Sequence, residues 1–467
     1  MGREDQAGAW LRVREVLATA APQGGIGVRG WARTLRRGKE LAFVELNDGS
    51  CFASLQVVLA PELDNYETVS RASTGACLAV TGDLVPSPAA GQAWELHARS
   101  VTLLGDAASD YPLQKKRHSL EFLRGIAHLR PRTNTFGAVF RVRSALAFAV
   151  HRFFQERGFL YVQTPIITAS DCEGAGELFR VTTLDPVRPP LVDGAVNWRE
   201  DFFGEKTGLT VSGQLEGELF ATAFSDVYTF GPTFRAENSN TSRHAAEFWM
   251  IEPEMAFADL AADCLLAEDF LRYLVRYALD HCGEDLAFFD QRIEPGLIAR
   301  LETLAAAEFR TMSYSDAVRV LEQSGRSFQF PVAWGSDLQS EHERFLTEEY
   351  VGGPLFVTDY PEAIKAFYMR RNDDGRTVAA MDLLVPRVGE IIGGSQREER
   401  LEVLDAKMRA VGIEPQSLDW YRDIRRWGSC PHAGFGLGFE RLLMYVTGME
   451  NIRDVIPFPR TPGSARF

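Results

Sequence analysis

Long apolar runs are absent from this 467-residue sequence. None approaches the roughly 20 residues that span a bilayer, which excludes membrane-embedded function classes. Cysteine is sparse and scattered: six residues, at 51, 77, 172, 264, 282 and 430, share no short paired spacing. That excludes a disulfide framework and fits a reducing compartment. The eight histidines form no HExxH pair, and no zinc is expected. A GxxxxGKS/T loop is missing too, so ordinary P-loop chemistry drops out. The opening MGREDQAGAW carries acids and no apolar signal core, and a cytoplasmic location is expected. No internal repeat or low-complexity tract breaks the chain.

Positive charge is in deficit: the formal net charge is −14, which alone argues against a nucleic-acid partner. Its distribution changes that reading. Residues 111–143 hold eight Lys/Arg against the single acid Glu121. Such a strip can either bind phosphates or be a solvated linker.

Length predicts two or three domains, and 45% hydrophobic residues supply material for more than one core. From Trp10 to Leu104 short alternating stretches (GVRGWARTLRR, ELAFVELNDGS, SLQVVLAP, ACLAVTGDLVPSP, WELHARSVTLLG) read as about five strands, with Asn-Asp-Gly at 47–49 as a tight turn. Five short strands suit a small closed barrel of the OB type over residues 1–104, with Trp31 in its core. Residues 105–136 read as a basic connector. Residues 137–467 read as an α+β body, an antiparallel sheet flanked by helices. FGAVFRVRSALAFAVHRFFQERGF and ADLAADCLLAEDFLRYLVRYALDHC have helical apolar spacing. YVQTPIIT reads as a strand bent at Pro165, and DVYTFGPTFRAEN with EFWMIEPEMAF as a hairpin with a long polar tip.

FRAENSNTSRHAAEF (234–248) and GFGLGFER (434–441) together carry two arginines, a histidine, an aromatic ring and a glycine bed. Displacement at phosphorus puts charge on nonbridging oxygens, and a planar guanidinium such as Arg235 or Arg441 is suited to meet it. Glu237 can accept from an adenine amine or pair with a neighbouring base; Phe248 can stack a ring or fill core; His244 can donate to a terminal phosphate or be structural. Asp382 and Glu390 in MDLLVPRVGEIIGGSQRE can hold Mg²⁺ against phosphates, and Gly393 and Gly394 let backbone approach a ligand. Singly each has an ordinary structural explanation; the constellation is the signal.

As a set these segments resemble the class II aminoacyl-tRNA synthetases, and within them the bacterial asparaginyl enzymes of the Asn/Asp/Lys branch. FFQERGFLYVQTPIIT resembles motif 1, FRAENSNTSRHAAEFWMIEPEM motif 2, and GFGLGFER with NIRDVIPFPR motif 3; SGQLEGE and EIIGGSQRE are similar to segments of the Asn/Asp branch. The resemblance implies ATP as substrate, Mg²⁺, L-asparagine and tRNA(Asn) as partners, and a homodimer through motif 1 with Pro165. It implies that Arg235 binds the α-phosphate and the amino-acid carboxylate, and that Arg235 and Arg441 are catalytic. ATP would be held by Glu237, Arg243, His244, Phe248, Glu390, Gly438, Glu440 and Arg441, and Mg²⁺ by Asp382, Glu390 and Ser395. Glu173 and Gln214 would take the amino acid with Arg235, Arg397 would face its side-chain oxygen, and Glu252 its amide. On the barrel, Phe43 would stack an anticodon base, with Arg36 and Gln56 as polar readers.

Asparagine and aspartate are nearly isosteric, so the pocket must read charge. Aspartyl relatives carry a lysine where Gly217 stands, and Glu252 would repel a second carboxylate. An aspartyl or non-discriminating enzyme, a catalytically silent tRNA-binding relative, and a stand-alone amide-forming enzyme that makes asparagine are the competing readings. Asp382 to Glu390 is one residue longer than in aspartyl relatives. Cys172 and Cys430 read as inert packing thiols.

Overall fold

The computed structural model describes residues 10–170, 178–239 and 241–467. The chain divides into two units, Met1–Ala138 and Val139–Phe467.

Alternation builds the first unit. In β1 (Gln23–Arg37) Ile26, Val28 and Ala32 are buried while Arg29 and Trp31 face out. Strands β2 (Ala42–Asn47), β3 (Leu55–Leu59), β4 (Cys77–Pro86) and β5 (Trp94–Gly105) complete the ring. β1 pairs with β2 and β4, β2 with β3, β3 with β5 and β5 with β4, so no edge is left open. This is the expected five-strand OB barrel, its interior filled by residues such as Val44, Leu55, Leu78 and Leu96. The turn at 47–49 is made by its own side chains: Asn47 Oδ1 accepts from Gly49 N–H at 2.8 Å, and Gly49 takes φ +81°. Trp31 corrects the sequence reading. Strand parity turns it outward, 42% exposed, with the Arg132 guanidinium 5.8 Å from its ring.

The second unit is organised on an eight-stranded sheet. Its strands are β6 (Leu160–Tyr161), β7 (Asp226–Phe234), β8 (Glu247–Ala256), β9 (Arg310–Ser313), β10 (Leu355–Pro361), β11 (Thr377–Val385), β12 (Gly389–Gln396) and β13 (His432–Gly438). Their spatial order is β9-β10-β11-β12-β13-β8-β7-β6. The six central strands are antiparallel as expected, and one parallel pair closes each edge. YVQTPIIT is not one strand: Pro165 cannot donate to a ladder, and pairing stops at Tyr161 and resumes at Ile167. Five of the helices bear on the site: α1 (Asn134–Glu156), α2 (Gln214–Phe224), α3 (Leu260–His281), α4 (Asp419–Arg426) and α5 (Phe439–Thr447). α1 and α3 take the two apolar-periodic stretches and meet through Phe153 and Phe270, with centroids 4.9 Å apart. Phe270 also reaches Phe435 of β13 at 6.1 Å, so α3 covers one face of the sheet and leaves the other for chemistry.

In the barrel, a Cβ on Gly82 would lie 2.1 Å from the His97 carbonyl oxygen. Gly82→Ala is therefore expected to cost about 2–3 kcal/mol, read as a lowered transition in thermal unfolding of the whole chain. An unchanged melting curve would show that the β4–β5 backbone yields there.

Candidate active site

The open face of the sheet is floored by glycine because side chains would not fit. Gly393 on β12 pairs with Gly436 on β13, and Gly434 pairs with Glu254 on β8. A Cβ on Gly434 would sit 2.3 Å from the Pro253 carbonyl oxygen and 2.6 Å from a Glu254 oxygen. One on Gly436 would meet Met250 Cε at 2.8 Å, and one on Gly393 would meet Glu390 at 3.1 Å. Gly438 is roomier, with nothing nearer than 3.9 Å. Gly394 faces the other way, against Phe435 and Asp263.

The β7–β8 hairpin lays Phe248, Met250, Glu252 and Glu254 along this face by period-2 alternation. Arg235 follows the end of β7, its N–H donating to Ala246 O at 3.0 Å and its guanidinium 5.6 Å from the Phe248 ring. Glu237 is exposed, as is His244, whose ring meets the Thr241 hydroxyl at 2.5 Å. The tip is tied from behind by the C-terminal segment: Ala246 N–H donates to Arg460 O and Ile452 N–H to Ser242 O, both at 2.8 Å. Arg243 is half-buried, donating to Ser340 Oγ and the Arg387 carbonyl at 3.3 and 3.5 Å. Burial lowers its basicity, Glu343 pulls it back up in part, and the nearby Arg441 and Arg344 lower it again. Arg441 extends from α5 and donates to the Glu390 carbonyl at 3.1 Å.

Glu252 is held by three donors. Ser212 Oγ donates to Oε1, and the Gly213 N–H and Thr229 hydroxyl donate to Oε2, each at 3.0 Å. Two positions on, Glu254 takes Arg397 Nε at 3.1 Å and Nη2 in a fork, while Arg397 Nη1 donates to Ser395 Oγ at 2.9 Å. Behind Arg397 lies Glu218 of α2, 4.0 Å from Nε. Glu218 accepts from Arg425 Nη2 at 2.6 Å, Tyr421 at 2.8 Å and Gln214 Nε2 at 3.1 Å, and meets His432 Nε2 at 3.0 Å. Burial alone would raise its pKa, but Arg425, then His432 and Arg397, hold it well below the usual carboxylate range. Burial raises Glu254 against the pull of Arg397. On α3, Asp263 is fully buried, neither carboxyl oxygen has a hydrogen-bond partner among the described residues, and burial pushes its pKa up to about 8.

Asp382 and Glu390 converge beside Gly393, and Glu343 joins them, accepting from the Glu390 N–H at 3.4 Å. Burial, then Glu390 and Asp382, push Glu343 up to about 7. Asp382, expected at a metal, has both oxygens on Lys365 Nζ, at 3.0 and 2.8 Å. Ser395, also expected there, has no exposed surface and accepts from Arg397. Glu440, expected near ATP, is buried and turned to Arg143, at 2.8 Å, and the Trp249 N–H, at 2.9 Å. The start of α5 aims Glu440 away from the open face, whereas Asp382 and Ser395 lie on it, paired with Gly393 and Gly434, with their oxygens already engaged. Among the described residues no three His, Cys, Asp or Glu side chains form a metal cage. Glu173 and Cys172 lie outside the described residues. Cys430 is a half-buried free thiol.

On the barrel, Arg36 lies directly across from Phe43, and Gln56 is on the neighbouring strand opposite Glu45. All three face outward, and Gln56 Nε2 donates to Glu95 at 3.4 Å. Sequence reasoning missed Glu218, Glu254, Glu343, Lys365, Arg425 and His432. Their one available signal was Glu254, two residues past Glu252 and so on the same strand face.

A family model described as tRNA synthetases class II (D, K and N) matches residues 120–462, and one for the OB-fold nucleic acid binding domain matches 26–104. The asparagine–tRNA ligase of Geobacter sulfurreducens is 68% identical over 98% of this chain and 99% of its own. That of Thermosynechococcus vestitus is 62% identical over 98% and 99%. Among solved structures, asparaginyl-tRNA synthetase from Pyrococcus horikoshii complexed with asparaginyl-adenylate matches with TM-score 0.84 at 31% identity, covering 97% of this chain and 98% of its own. The asparaginyl-tRNA synthetase of Entamoeba histolytica in complex with asparaginyl-adenylate gives 0.83 at 26%, covering 98% and 99%.

Asp263 links the site to pH. Its pKa is raised from 3.8 to about 8, so the folded state binds the extra proton and stability falls as pH climbs through that window. Asp263→Asn removes the penalty. It is expected to leave the melting temperature nearly unchanged at pH 4 and to raise it by about 3 °C or more at pH 8. A pH-independent difference would mean that the carboxyl is ionised throughout.

Proposed function

This chain belongs to the class II tRNA synthetases of the D, K and N group, and we infer that it ligates L-asparagine to tRNA(Asn) with ATP, through an asparaginyl-adenylate. The asparagine carboxylate attacks the α-phosphorus, the bond to the bridging oxygen breaks, and pyrophosphate leaves. The terminal ribose hydroxyl of tRNA then attacks the adenylate carbonyl and AMP departs. Neither step requires an ionising protein side chain; the protein's task is placement and charge.

In our reading Arg235 spans the carboxylate and the α-phosphate. Phe248 stacks the adenine beside it, Glu237 accepts from the adenine amine, and Arg243, His244 and Arg441 take the outer phosphates over the glycine floor. Mg²⁺ fits beside Glu343 and Glu390: burial raises Glu343 first, the neighbouring Glu390 and Asp382 raise it further, and a divalent cation would relieve that gathered negative charge. Bound there, Mg²⁺ would neutralise phosphate oxygens; Lys365 keeps Asp382 compensated. Gln214 completes the described part of the amino-acid pocket, and Glu173 is assigned the substrate ammonium on the family resemblance alone.

The observation that carries asparagine over aspartate is the carboxylate of Glu252, fixed by Ser212, Gly213 and Thr229 on the open face. It can accept from an amide NH₂ and repels a carboxylate. No cation stands at Gly217 to reverse that preference. Arg397 has three of its five N–H groups engaged, which leaves two for the side-chain oxygen. Arg36, Phe43 and Gln56 form the anticodon surface. We place the protein in the cytoplasm, and a homodimer through motif 1 is supported by Leu160, Ile166 and Ile167, each more than 40% exposed around Pro165.

Pyrophosphate exchange into ATP should depend on asparagine, with aspartate weaker by about 10⁴; equal rates with both would sink the discrimination argument. Arg235→Ala should lower exchange by at least about 10³, and Glu252→Gln should narrow the gap between the two amino acids. Phe43→Ala should spare exchange and reduce tRNA charging by about tenfold or more; unimpaired charging would remove Phe43 from the anticodon surface.

A further inference from the structure

One cavity of the second unit, about 290 Å³, is lined by Arg243, Arg300, Arg344, Arg387 and Arg441 against only Glu294 and Glu450. That volume is small for a nucleoside and suits a compact anion. Glu294 is saturated: Arg300 holds it in a fork at 2.9 and 3.1 Å, and Arg387 reaches it at 2.9 Å. Arg243 bonds only a hydroxyl and a carbonyl, and no carboxylate lies within ion-pair distance of Arg344 among the described residues. Arg387 sits at the tip of the β11–β12 turn with φ +72°, a conformation disfavoured for a residue bearing a side chain. Glu348 accepts from its N–H at 2.7 Å and holds it there. Guanidinium groups gathered this closely repel one another unless an anion joins them.

Arg243 and Arg441 already belong to the outer-phosphate side of the site, whereas Arg344 and Arg387 lie beyond it in the cavity. We propose that this cavity receives the pyrophosphate released on adenylate formation, with Arg344 and Arg387 as ligands of the product rather than of ATP. The proposal rests on the synthetase reading above. When the α-phosphorus–oxygen bond breaks, the leaving group keeps the electron pair and gains charge that it lacked as part of the triphosphate. Two further cations next to the departure point meet that gain, and the product can shift away from the new adenylate without losing its partners.

The test compares Arg344→Gln and Arg387→Gln with the unmodified full-length protein. KM for inorganic pyrophosphate is measured in ATP formation from enzyme-bound adenylate, and KM for ATP in the forward direction. Loss of a charge-assisted contact should raise the pyrophosphate KM about tenfold, with the ATP KM moving less than twofold and Arg344→Lys recovering most of the loss. Orthophosphate at equal concentration should compete with pyrophosphate only weakly in that assay; an inhibition constant equal to the pyrophosphate KM would overturn the assignment to a diphosphate. Pyrophosphate and ATP constants rising together would assign both arginines to the triphosphate site, and unchanged constants would empty the cavity of its role. Arg344 is exposed, so its substitution leaves the core intact. Absence of asparagine-dependent exchange in the unmodified protein would instead overturn the parent reading.

Discussion

A guanidinium with almost no exposed surface, Arg397, is the constraint around which the site is arranged. A buried charge is tolerated only when it is paired and its hydrogen-bonding groups are satisfied. Here the pairing reaches across distant parts of the chain: Glu254 from β8, Ser395 from β12, and Glu218 from α2, itself gripped by Arg425 of α4 and His432 of β13. Glu218, held ionised by Arg425, and the fork from Glu254 compensate the buried cations, and a protonated Asp263 adds no charge beside them. Because Gln214 also hangs from Glu218, the two groups expected to read the amino acid share one foundation.

The glycine floor works by the opposite logic. Where the network positions side chains by enclosing them, β12 and β13 expose bare backbone, and the contacts that a Cβ would make show how little room remains. Around this bed the cations of the β7–β8 hairpin and α5 interleave with the carboxylates Glu343 and Glu390, and Arg441 reaches Glu390 at 3.5 Å. A polyanion accompanied by a divalent cation matches such a mixed rim.

The contiguous parts of this design were legible in the sequence. The hairpin, the glycine run and the alternating barrel strands each lie within a short window, and their periodicity or residue chemistry marks them. The network was not legible, since Glu218 and His432 are 214 positions apart and each looks ordinary in its own segment. Lys365 escaped for the same reason: nothing in its own loop points to Asp382 on β11. Trp31 was misplaced because aromatic content was weighed above strand parity, which puts it on the same side as Arg29. Glu440 carries the expected residue type at the expected motif position, yet the start of α5 turns it into Arg143. Motif membership located the residue; only the backbone direction located its carboxylate.

The order of the sheet also bears on how the protein is made. β13 is the last of the strands in chain order, yet it lies between β12 and β8 at the middle of the sheet. During synthesis the N-terminal barrel has all five of its strands by residue 105 and can close early. The large sheet stays split into two half-sheets, β6–β8 and β9–β12, until residues 432–438 leave the ribosome and insert between them. Between the emergence of β12 and that of β13 the molecule therefore carries two unpaired strand edges, β8 and β12, which makes that interval the one in which a chaperone would matter most.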